Sequence, residues 1–154
     1  DIYNKLLNEI NNDNFDIFSK NSYLHYCVIE HIRLFNTINI NIPRTVNENM
    51  NYHNIHFKKE DQIFMLFSSL LRDKNTYHNP NYYKPERWVH KTIDEQDLVF
   101  GIGPQQCPSI QITPILYKSI IYHLLKKYEY KDVYPKLKSK ELYNINPYSI
   151  KLII

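Results

Sequence analysis

Cys107 is the residue whose side chain offers the most specific chemistry in this sequence. It ends the stretch Phe100-Gly-Ile-Gly-Pro-Gln-Gln-Cys107, in which Gly103 permits the positive φ of a tight turn. Such a turn can present the sulfur away from the chain, where Phe100 can shield it from water. A thiolate is a soft donor that suits iron in a porphyrin. Taken alone, the pattern equally fits a buried structural cysteine beside an ordinary turn.

Two further patterns contain arginines that can form ion pairs. Glu30 and Arg33 are three positions apart, so their side chains share one face if this segment is helical. Arg87, in Tyr83-Lys-Pro-Glu-Arg87-Trp88, carries a planar guanidinium that can bind a carboxylate at two points. Each pattern alone also fits a solvated helix pair and an ordinary loop.

Length and charge exclude several classes of protein. The chain has 154 residues and a net charge of +3, which fits one domain over residues 1–154 and argues against a nucleic-acid or anionic-membrane partner.

The two cysteines make no disulfide framework and favour a reducing, intracellular compartment. The densest apolar run, 63–71, is too short to span a bilayer. The chain begins with Asp and no signal peptide is visible, so we expect an upstream part outside this sequence.

The composition is strongly biased in the way that AT-rich genomes produce. Alanine is absent and Lys greatly outnumbers Arg. Against this bias, the glycines and arginines that remain are expected where no other residue works. The two glycines are Gly101 and Gly103, and the four arginines are Arg33, Arg44, Arg72 and Arg87.

Apolar periodicity predicts three helices. The first covers the opening residues from Ile2 to Ile10. The second is capped by Asn21 or Ser22 and runs to about Phe35. The third follows the cysteine and runs to about residue 128. One side of the third helix is expected to carry Ile115, Leu116, Ile120, Ile121, Leu124 and Leu125.

Strands and irregular segments account for the remainder. Short strands are predicted between Arg44 and Phe67, and alternating isoleucines precede them at 38, 40 and 42. Residues 73–98 show little periodicity, and 100–109 form a loop. The tail predicts a hairpin, with strands at 141–145 and 149–154. The fold class is therefore mainly α with small β-sheets (α+β).

The order of these patterns resembles the cytochrome P450 family. A Glu-x-x-Arg helix is followed by strands, an irregular segment with Pro-Glu-Arg-Trp, the motif Phe-x-x-Gly-x-x-x-Cys and another helix. The resemblance covers nearly the whole chain and matches the C-terminal, heme-binding part of that fold. It implies heme b as cofactor and Cys107 as the axial ligand of its iron, with Gly103 and Phe100 at the corresponding loop positions.

The resemblance also implies roles for the arginines. Glu30, Arg33 and Arg87 would form a buried structural triad that braces the loop below the heme. Arg44, just after Pro43, would bind a heme propionate. Arg72 and Asp73 resemble an Arg-Asp pair that precedes the irregular segment in the family.

Three residues depart from the family pattern. Gln105 replaces a basic residue that pairs with a propionate, although its amide can still donate a hydrogen bond. Ser109 replaces a glycine two positions after the cysteine. Pro114 implies either a kink in the following helix or a helix that starts there with Thr113 as its cap.

The leading hypothesis is a heme-thiolate monooxygenase fragment that contains no catalytic residue of its own and is inactive alone. A reductase or ferredoxin would supply electrons, and the substrate would be small and apolar. The alternative is a P450-like binding or structural protein that has lost heme or oxygen chemistry. A zinc module is a further alternative, because His25, Cys27 and His31 are close in sequence, but they lack the usual ligand spacing.

Overall fold

The computed structural model describes residues 1–36 and 43–129, and helices dominate this part of the chain. The first two helices are α1, Ile2–Ile10, and α2, Tyr23–Leu34. None of the helices in these ranges is long and apolar enough to cross a membrane. The later helical elements are α3 (Phe67–Leu70), a 3-10 turn at Pro85–Trp88, α4 (Ile93–Asp97), a second 3-10 turn at Leu98–Phe100, and α5 (Ile112–Lys127).

The ends of α1 and α2 are fixed by side-chain oxygens, as predicted for the second helix. The Tyr3 amide donates to the Asp1 carboxylate at 3.0 Å, and the His25 amide donates to the Ser22 hydroxyl at 3.1 Å. These bonds satisfy amides that have no partner inside the helix. The predicted starts of these two helices are therefore confirmed, and of the two candidate caps, Asn21 and Ser22, the structure has Ser22.

α2 lies at the centre of the described structure and separates two core clusters. Its Leu24, Val28 and Ile29 are completely buried. α2 contacts α1, α5 and both 3-10 turns. The first core cluster consists of Tyr26, Ile29, Leu71, Trp88 and Val99. The second core cluster consists of Leu6, Ile10, Leu24 and Cys27.

The predicted short strands form two antiparallel pairs. β1 (Arg44–Thr45) pairs with β4 (Gln62–Ile63), and between them β2 (Met50–Tyr52) pairs with β3 (Ile55–Phe57). The β2–β3 turn, His53-Asn54, has φ values of 46° and 63°. Two consecutive positive φ values match the twist of a tight hairpin. The mixed α and small-sheet class is confirmed.

The segment 73–98 is irregular apart from the 3-10 turn at Pro85–Trp88 and α4. The sequence analysis missed α4, although its signal is present. Thr92 accepts the Glu95 amide at 3.2 Å, and the Glu95 carboxylate accepts the Thr92 amide at 2.8 Å. This reciprocal capping box starts a helix without any apolar periodicity.

The predicted helix start at Pro114 with Thr113 as its cap is wrong. α5 starts at Ile112, so Thr113 is helical and does not act as the cap, and Pro114 is the third residue of the first turn. The first amides of a helix have no intrahelical acceptor, so proline removes no bond at this position. The Thr113 amide donates to the Ser109 carbonyl at 2.8 Å, which extends the turn back towards Cys107.

The predicted apolar side of α5 is only partly correct. Ile121 and Leu125 pack against the second core cluster. Leu116 and Ile120 are 57% and 60% exposed, whereas the charged Lys118 is 1% exposed. The inward face is thus rotated towards Pro114 and Lys118, because the ammonium group of Lys118 finds a backbone carbonyl inside. The predicted tail hairpin and the isoleucines at 38, 40 and 42 lie outside the described residues.

Candidate functional site

Cys107 lies on a short loop between the second 3-10 turn and α5. Its amide donates to the Phe100 carbonyl at 3.0 Å, which closes the segment 100–107 into a compact loop, here called the cysteine loop. The Cys107 carbonyl accepts the Ile110 amide at 3.2 Å and so begins the turn that leads into α5. The thiol-bearing residue is half-buried and forms no disulfide.

Both glycines of the cysteine loop have positive φ, 83° for Gly101 and 81° for Gly103. A Cβ at either position would meet no atom within 4 Å, so backbone conformation and not space requires glycine here. Gln106 holds the same turn, because its side-chain amide donates to the Gly101 carbonyl at 2.9 Å and its backbone amide to the Gly103 carbonyl at 3.0 Å.

The second cysteine lies in a very different environment. Cys27 is 3% exposed within the second core cluster, and burial raises the pKa of its thiol to about 12. A thiol in such surroundings stays protonated and inert. Of the two cysteines, Cys107 is therefore the one available to a ligand.

The Glu30 carboxylate is the centre of the densest hydrogen-bond cluster among the described residues. Oε1 accepts from Arg33 Nη2, Arg87 Nε and the Lys84 amide, each at 2.9 Å. Oε2 accepts from Arg33 Nε at 2.9 Å and from the Trp88 indole at 3.0 Å. The structure thus brings the side chains of Glu30, Arg33 and Arg87 together.

Glu30 is completely buried, yet it is held in its ionised form. Burial raises the pKa of its carboxyl, but the hydrogen bonds from Arg33, the Lys84 amide and Arg87 outweigh burial, and the net pKa is lowered. A buried carboxylate requires such full pairing, because removing one partner leaves an uncompensated charge.

The arginines of the triad also bind carbonyls of the irregular segment and of Leu71 just before it. Arg33 Nη1 donates to the Leu71 carbonyl at 2.7 Å. Arg87 Nη1 donates to the His78 carbonyl at 3.1 Å and its Nη2 to the Tyr82 carbonyl at 3.3 Å. These bonds replace the regular backbone pairing that residues 73–84 lack.

Arg72 extends the same network towards α2. Its Nη2 donates to the Leu34 carbonyl at 2.6 Å, and its Nη1 donates to the Asn81 side chain at 3.1 Å. Asp73 accepts from the Asn75 amide at 3.1 Å and so orders the next turn. A planar fork with several donors suits this role better than a single ammonium group.

A continuous set of contacts joins the triad to the cysteine loop. Trp88, which donates to Glu30, is 2% exposed and belongs to the first core cluster together with Val99. Phe100 packs against this cluster, and its carbonyl accepts the Cys107 amide. The start of the cysteine loop is therefore anchored in the core that the triad organises.

The remaining predicted site residues lie on the surface or on the small sheet. Arg44 is half-buried in β1, opposite Ile63 of β4. Gln105 is exposed on the cysteine loop. Within residues 1–36 and 43–129, no group of three His, Cys, Asp or Glu side chains could hold a metal ion.

Comparison with known proteins decides the family. A sequence model of cytochrome P450 matches residues 2–152. The chain belongs to the cytochrome P450 family. Psoralen synthase of Pastinaca sativa is 24% identical over 116 residues, which cover 72% of this chain and 24% of that protein. Cytochrome P450 98A1 of Sorghum bicolor is 29% identical over 118 residues, 73% of this chain and 23% of that protein.

A solved structure shows the same fold. A zebra fish cytochrome P450 with abiraterone matches with a TM-score of 0.66 and 17% sequence identity, over 84% of this chain and 31% of that chain. The described residues thus have the fold of one part of a cytochrome P450. The chain spans about a quarter of the length of the curated relatives given above. At the level of the family, cytochrome P450 proteins are heme-thiolate monooxygenases that draw electrons from a redox partner.

Sequence reasoning missed three contributors to the candidate site. The Trp88 indole and the Lys84 amide both donate to Glu30, and Gln106 ties the cysteine loop to Gly101. Trp88 carried a signal, because it is the single tryptophan and directly follows Arg87. The Lys84 contact carried none, since every non-proline residue has a backbone amide.

Proposed function

We propose that this chain forms one wall of a heme pocket and that the Cys107 thiolate ligates the iron of heme b. The observation that carries the proposal is the position of Cys107. It is the half-buried, unpaired cysteine of a glycine-turned loop whose first residue is anchored in the core. A thiolate is the donor that the family's chemistry requires.

Exposed aliphatic side chains on the cysteine loop and on α5 would suit a flat apolar cofactor. Ile102 of the cysteine loop and Ile112 and Leu116 of the following helix are 72%, 61% and 57% exposed. We take these side chains as part of the apolar surface that would contact the heme. Charged donors for the propionates are sparser, with Arg44 as the cation and Gln105 as a neutral hydrogen-bond donor.

The roles of the other residues follow from their contacts. When bound, a thiolate-ligated heme supplies oxygen activation, because electron donation from sulfur favours O–O cleavage. Phe100 fixes the start of the cysteine loop, because its ring packs against the first core cluster and its carbonyl accepts the Cys107 amide. Glu30, Arg33 and Arg87 keep the irregular segment in place below it. None of these residues moves a proton in the reaction, so their function is to position the ligand.

The activity of the whole protein is part of the same proposal. We assign it as monooxygenation of a small apolar substrate, with electrons from a reductase or a ferredoxin. The substrate-binding and oxygen-handling groups would come from the part of the fold that the relatives have and this chain does not cover.

The test is a carbon monoxide spectrum of the protein supplied with heme and reduced. A thiolate ligand gives a red-shifted Soret band, and we expect this band for the native protein. Cys107→Ser should lose it, whereas the matched variant Cys27→Ser should keep it because Cys27 is buried in the second core cluster. A Cys107→Ser protein that retains the red-shifted band contradicts the assignment of the ligand.

Heme retention separates this proposal from the non-catalytic alternative. The exposed Gln105 brings no positive charge where the family usually has a basic residue, which favours weaker propionate binding. We expect stoichiometric heme in the purified protein. A protein that is folded by circular dichroism but takes up no heme contradicts the proposal and supports a P450-like binding protein.

A further inference from the structure

Gln106, the residue directly before Cys107, is bound to the cysteine loop through both its backbone and its side chain. The backbone amide donates to the Gly103 carbonyl at 3.0 Å, and the side-chain Nε2 donates to the Gly101 carbonyl at 2.9 Å. Gln106 is half-buried, as is Cys107. The chain is therefore restrained immediately before it reaches the sulfur-bearing residue.

The preceding glutamine lacks these contacts. Gln105 is exposed, and its side chain makes no hydrogen bond to a described residue. Within the part of the chain that the structure describes, the bond from Gln106 to the Gly101 carbonyl is the one side-chain hydrogen bond of the cysteine loop. The contact thus belongs to position 106 and not to glutamine as a residue type.

The cysteine loop needs such a restraint because its own backbone supplies little order. Both of its glycines have positive φ, and glycine loses more conformational freedom on ordering than any other residue. Pro104 has no N–H to donate. The bond from the Cys107 amide to the Phe100 carbonyl joins the two ends of the loop but does not itself restrain the residues between them. The Gln106 side chain adds a restraint inside the loop.

We propose that Gln106 is a positioning residue for the Cys107 thiolate. The two residues share one planar peptide unit, so a fixed Gln106 backbone fixes the direction in which the chain enters Cys107. Without the side-chain bond, the loop keeps its backbone bonds but gains conformations in which the sulfur does not face the heme. The proposal rests on the assignment of Cys107 as the iron ligand and names a residue that acts on it without contacting the iron.

The expected effect is that of one neutral hydrogen bond, which changes an equilibrium by about two- to tenfold. Gln106→Met removes the N–H donor and keeps a side chain of similar length. In the heme-loaded, reduced protein under carbon monoxide, we expect the ratio of red-shifted to unshifted Soret absorption to fall about two- to tenfold.

Gln111→Met is the matched control for this spectrum. Gln111 is exposed at the start of α5, and its side chain makes no capping hydrogen bond. We expect the control to keep the native ratio of the two bands. A Gln106→Met protein with the native ratio overturns the proposal.

Alkylation of the heme-free chain by iodoacetamide, mapped by mass spectrometry, gives a measurement that does not depend on heme. We expect Gln106→Met to raise the rate at the half-buried Cys107 about two- to tenfold, because the loosened loop exposes the thiol. Cys27 is 3% exposed and stays unmodified as long as the protein is folded, so it is the internal control for unfolding. An unchanged Cys107 rate in a protein whose Cys27 stays protected contradicts the role of Gln106.

The two measurements separate failure of this proposal from failure of the heme assignment. Retention of the red-shifted band by Cys107→Ser contradicts the heme assignment, and the alkylation rates then still test whether Gln106 orders the loop. Loss of the band in Cys107→Ser, with native spectrum and native alkylation in Gln106→Met, contradicts the role of Gln106 alone. A merely structural contribution of Gln106 would lower the urea midpoint and leave the band ratio of the folded protein unchanged, which also overturns the proposal.

Discussion

At the scale of single residues, Glu30 depends most on its neighbours. Its carboxylate is completely buried and accepts five hydrogen bonds from described residues, two of them from Arg33. Those hydrogen bonds stabilise the ionised carboxylate, and the pKa of Glu30 is therefore lowered although the group is buried. Below the ordinary pKa of glutamate, the unfolded chain takes up the proton first, so this stabilisation is lost as the pH falls towards the folded-state value.

Glu30→Gln should destabilise the protein severely. The amide removes the negative charge and leaves two guanidinium groups partly unpaired, which costs about 3–5 kcal/mol for a buried ion cluster. Urea titration measures this loss. Glu86→Gln is the control, because the Glu86–Lys5 pair has side chains that are 37% and 53% exposed. It should cost at most about 1 kcal/mol. Equal losses in the two variants would show that the triad adds no special stability.

Gly101→Ala should also be costly although no atom stands in the way. Gly101 has φ 83° and ψ 179°, a combination almost confined to glycine. We expect a loss of about 1–3 kcal/mol in the free energy of unfolding. Gly101→Asn should give no rescue, since asparagine tolerates the left-handed helical region and not this one. A stability equal to that of the native protein would mean that the loop relaxes at this position.

At the scale of elements, α2 is held at its N-terminus by another helix. Glu9 of α1 accepts the Tyr23 amide at 2.6 Å and the Leu24 amide at 2.8 Å, in addition to the Ser22 cap. A carboxylate at this end also meets the positive pole of the helix. α1 is thus coupled to the helix that carries the triad by more than the second core cluster.

Removal of this contact gives a graded prediction. Glu9→Ala should cost about 1–2 kcal/mol, the usual effect of losing an N-terminal cap. Glu9→Gln should cost less than Glu9→Ala, because its one amide oxygen still accepts from one of the two backbone amides that Glu9 binds with separate oxygens. Thermal unfolding followed by circular dichroism at 222 nm ranks the variants. A loss for Glu9→Gln as large as that for Glu9→Ala would show that the one remaining hydrogen bond to the α2 terminus contributes no stability.

The buried His25 of α2 makes the stability of the fold depend on pH with a known sign. Its folded-state pKa is about 4 against an ordinary value of 6.5. Between these values the unfolded chain binds the proton and the folded chain does not, so stability falls as the pH falls from 6.5 to 4. The difference in unfolding free energy between native protein and His25→Phe should shrink by at most about 1.4 kcal/mol per pH unit. A difference that stays constant with pH would show that His25 accepts a proton inside the fold.

The sequence predicted the helix positions better than their faces. The Ser22 cap and the apolar spacing were sufficient for α2, and the strand region was located correctly. The inward face of α5 could not be inferred, because a buried Lys118 is favourable only when the Ser19 carbonyl is at hand, 99 positions away. The triad was accessible only because its residue types and order resemble a family. The Lys84 amide and the Gln106 bond, by contrast, depend on backbone geometry.

At the scale of the whole molecule, the two core clusters share a boundary residue. Tyr23 packs against both, and its hydroxyl donates to Glu86 at 2.9 Å. Because α2 contributes residues to each cluster, neither can be lost while α2 stays intact. The described part of the chain should therefore unfold as one unit.

Coincident unfolding transitions test this expectation. Trp88 is the single tryptophan and lies in the first core cluster, so its fluorescence reports on that cluster, whereas far-ultraviolet circular dichroism reports on all helices. We expect equal urea midpoints from the two probes, as two-state unfolding requires. A fluorescence transition that precedes the loss of helix would show that the first core cluster opens by itself.

The forked arginine contacts have a consequence for how this chain can drift in evolution. Arg33, Arg72 and Arg87 each reach two or more backbone or side-chain acceptors from separate segments, with donors that point in fixed directions. A lysine retains the charge but has one compact ammonium group, so it cannot span those acceptors. In a genome whose base composition steadily converts arginine codons to lysine codons, selection would remove arginine-to-lysine substitutions at these three positions. The geometry of their contacts would therefore preserve arginine there against the mutational bias.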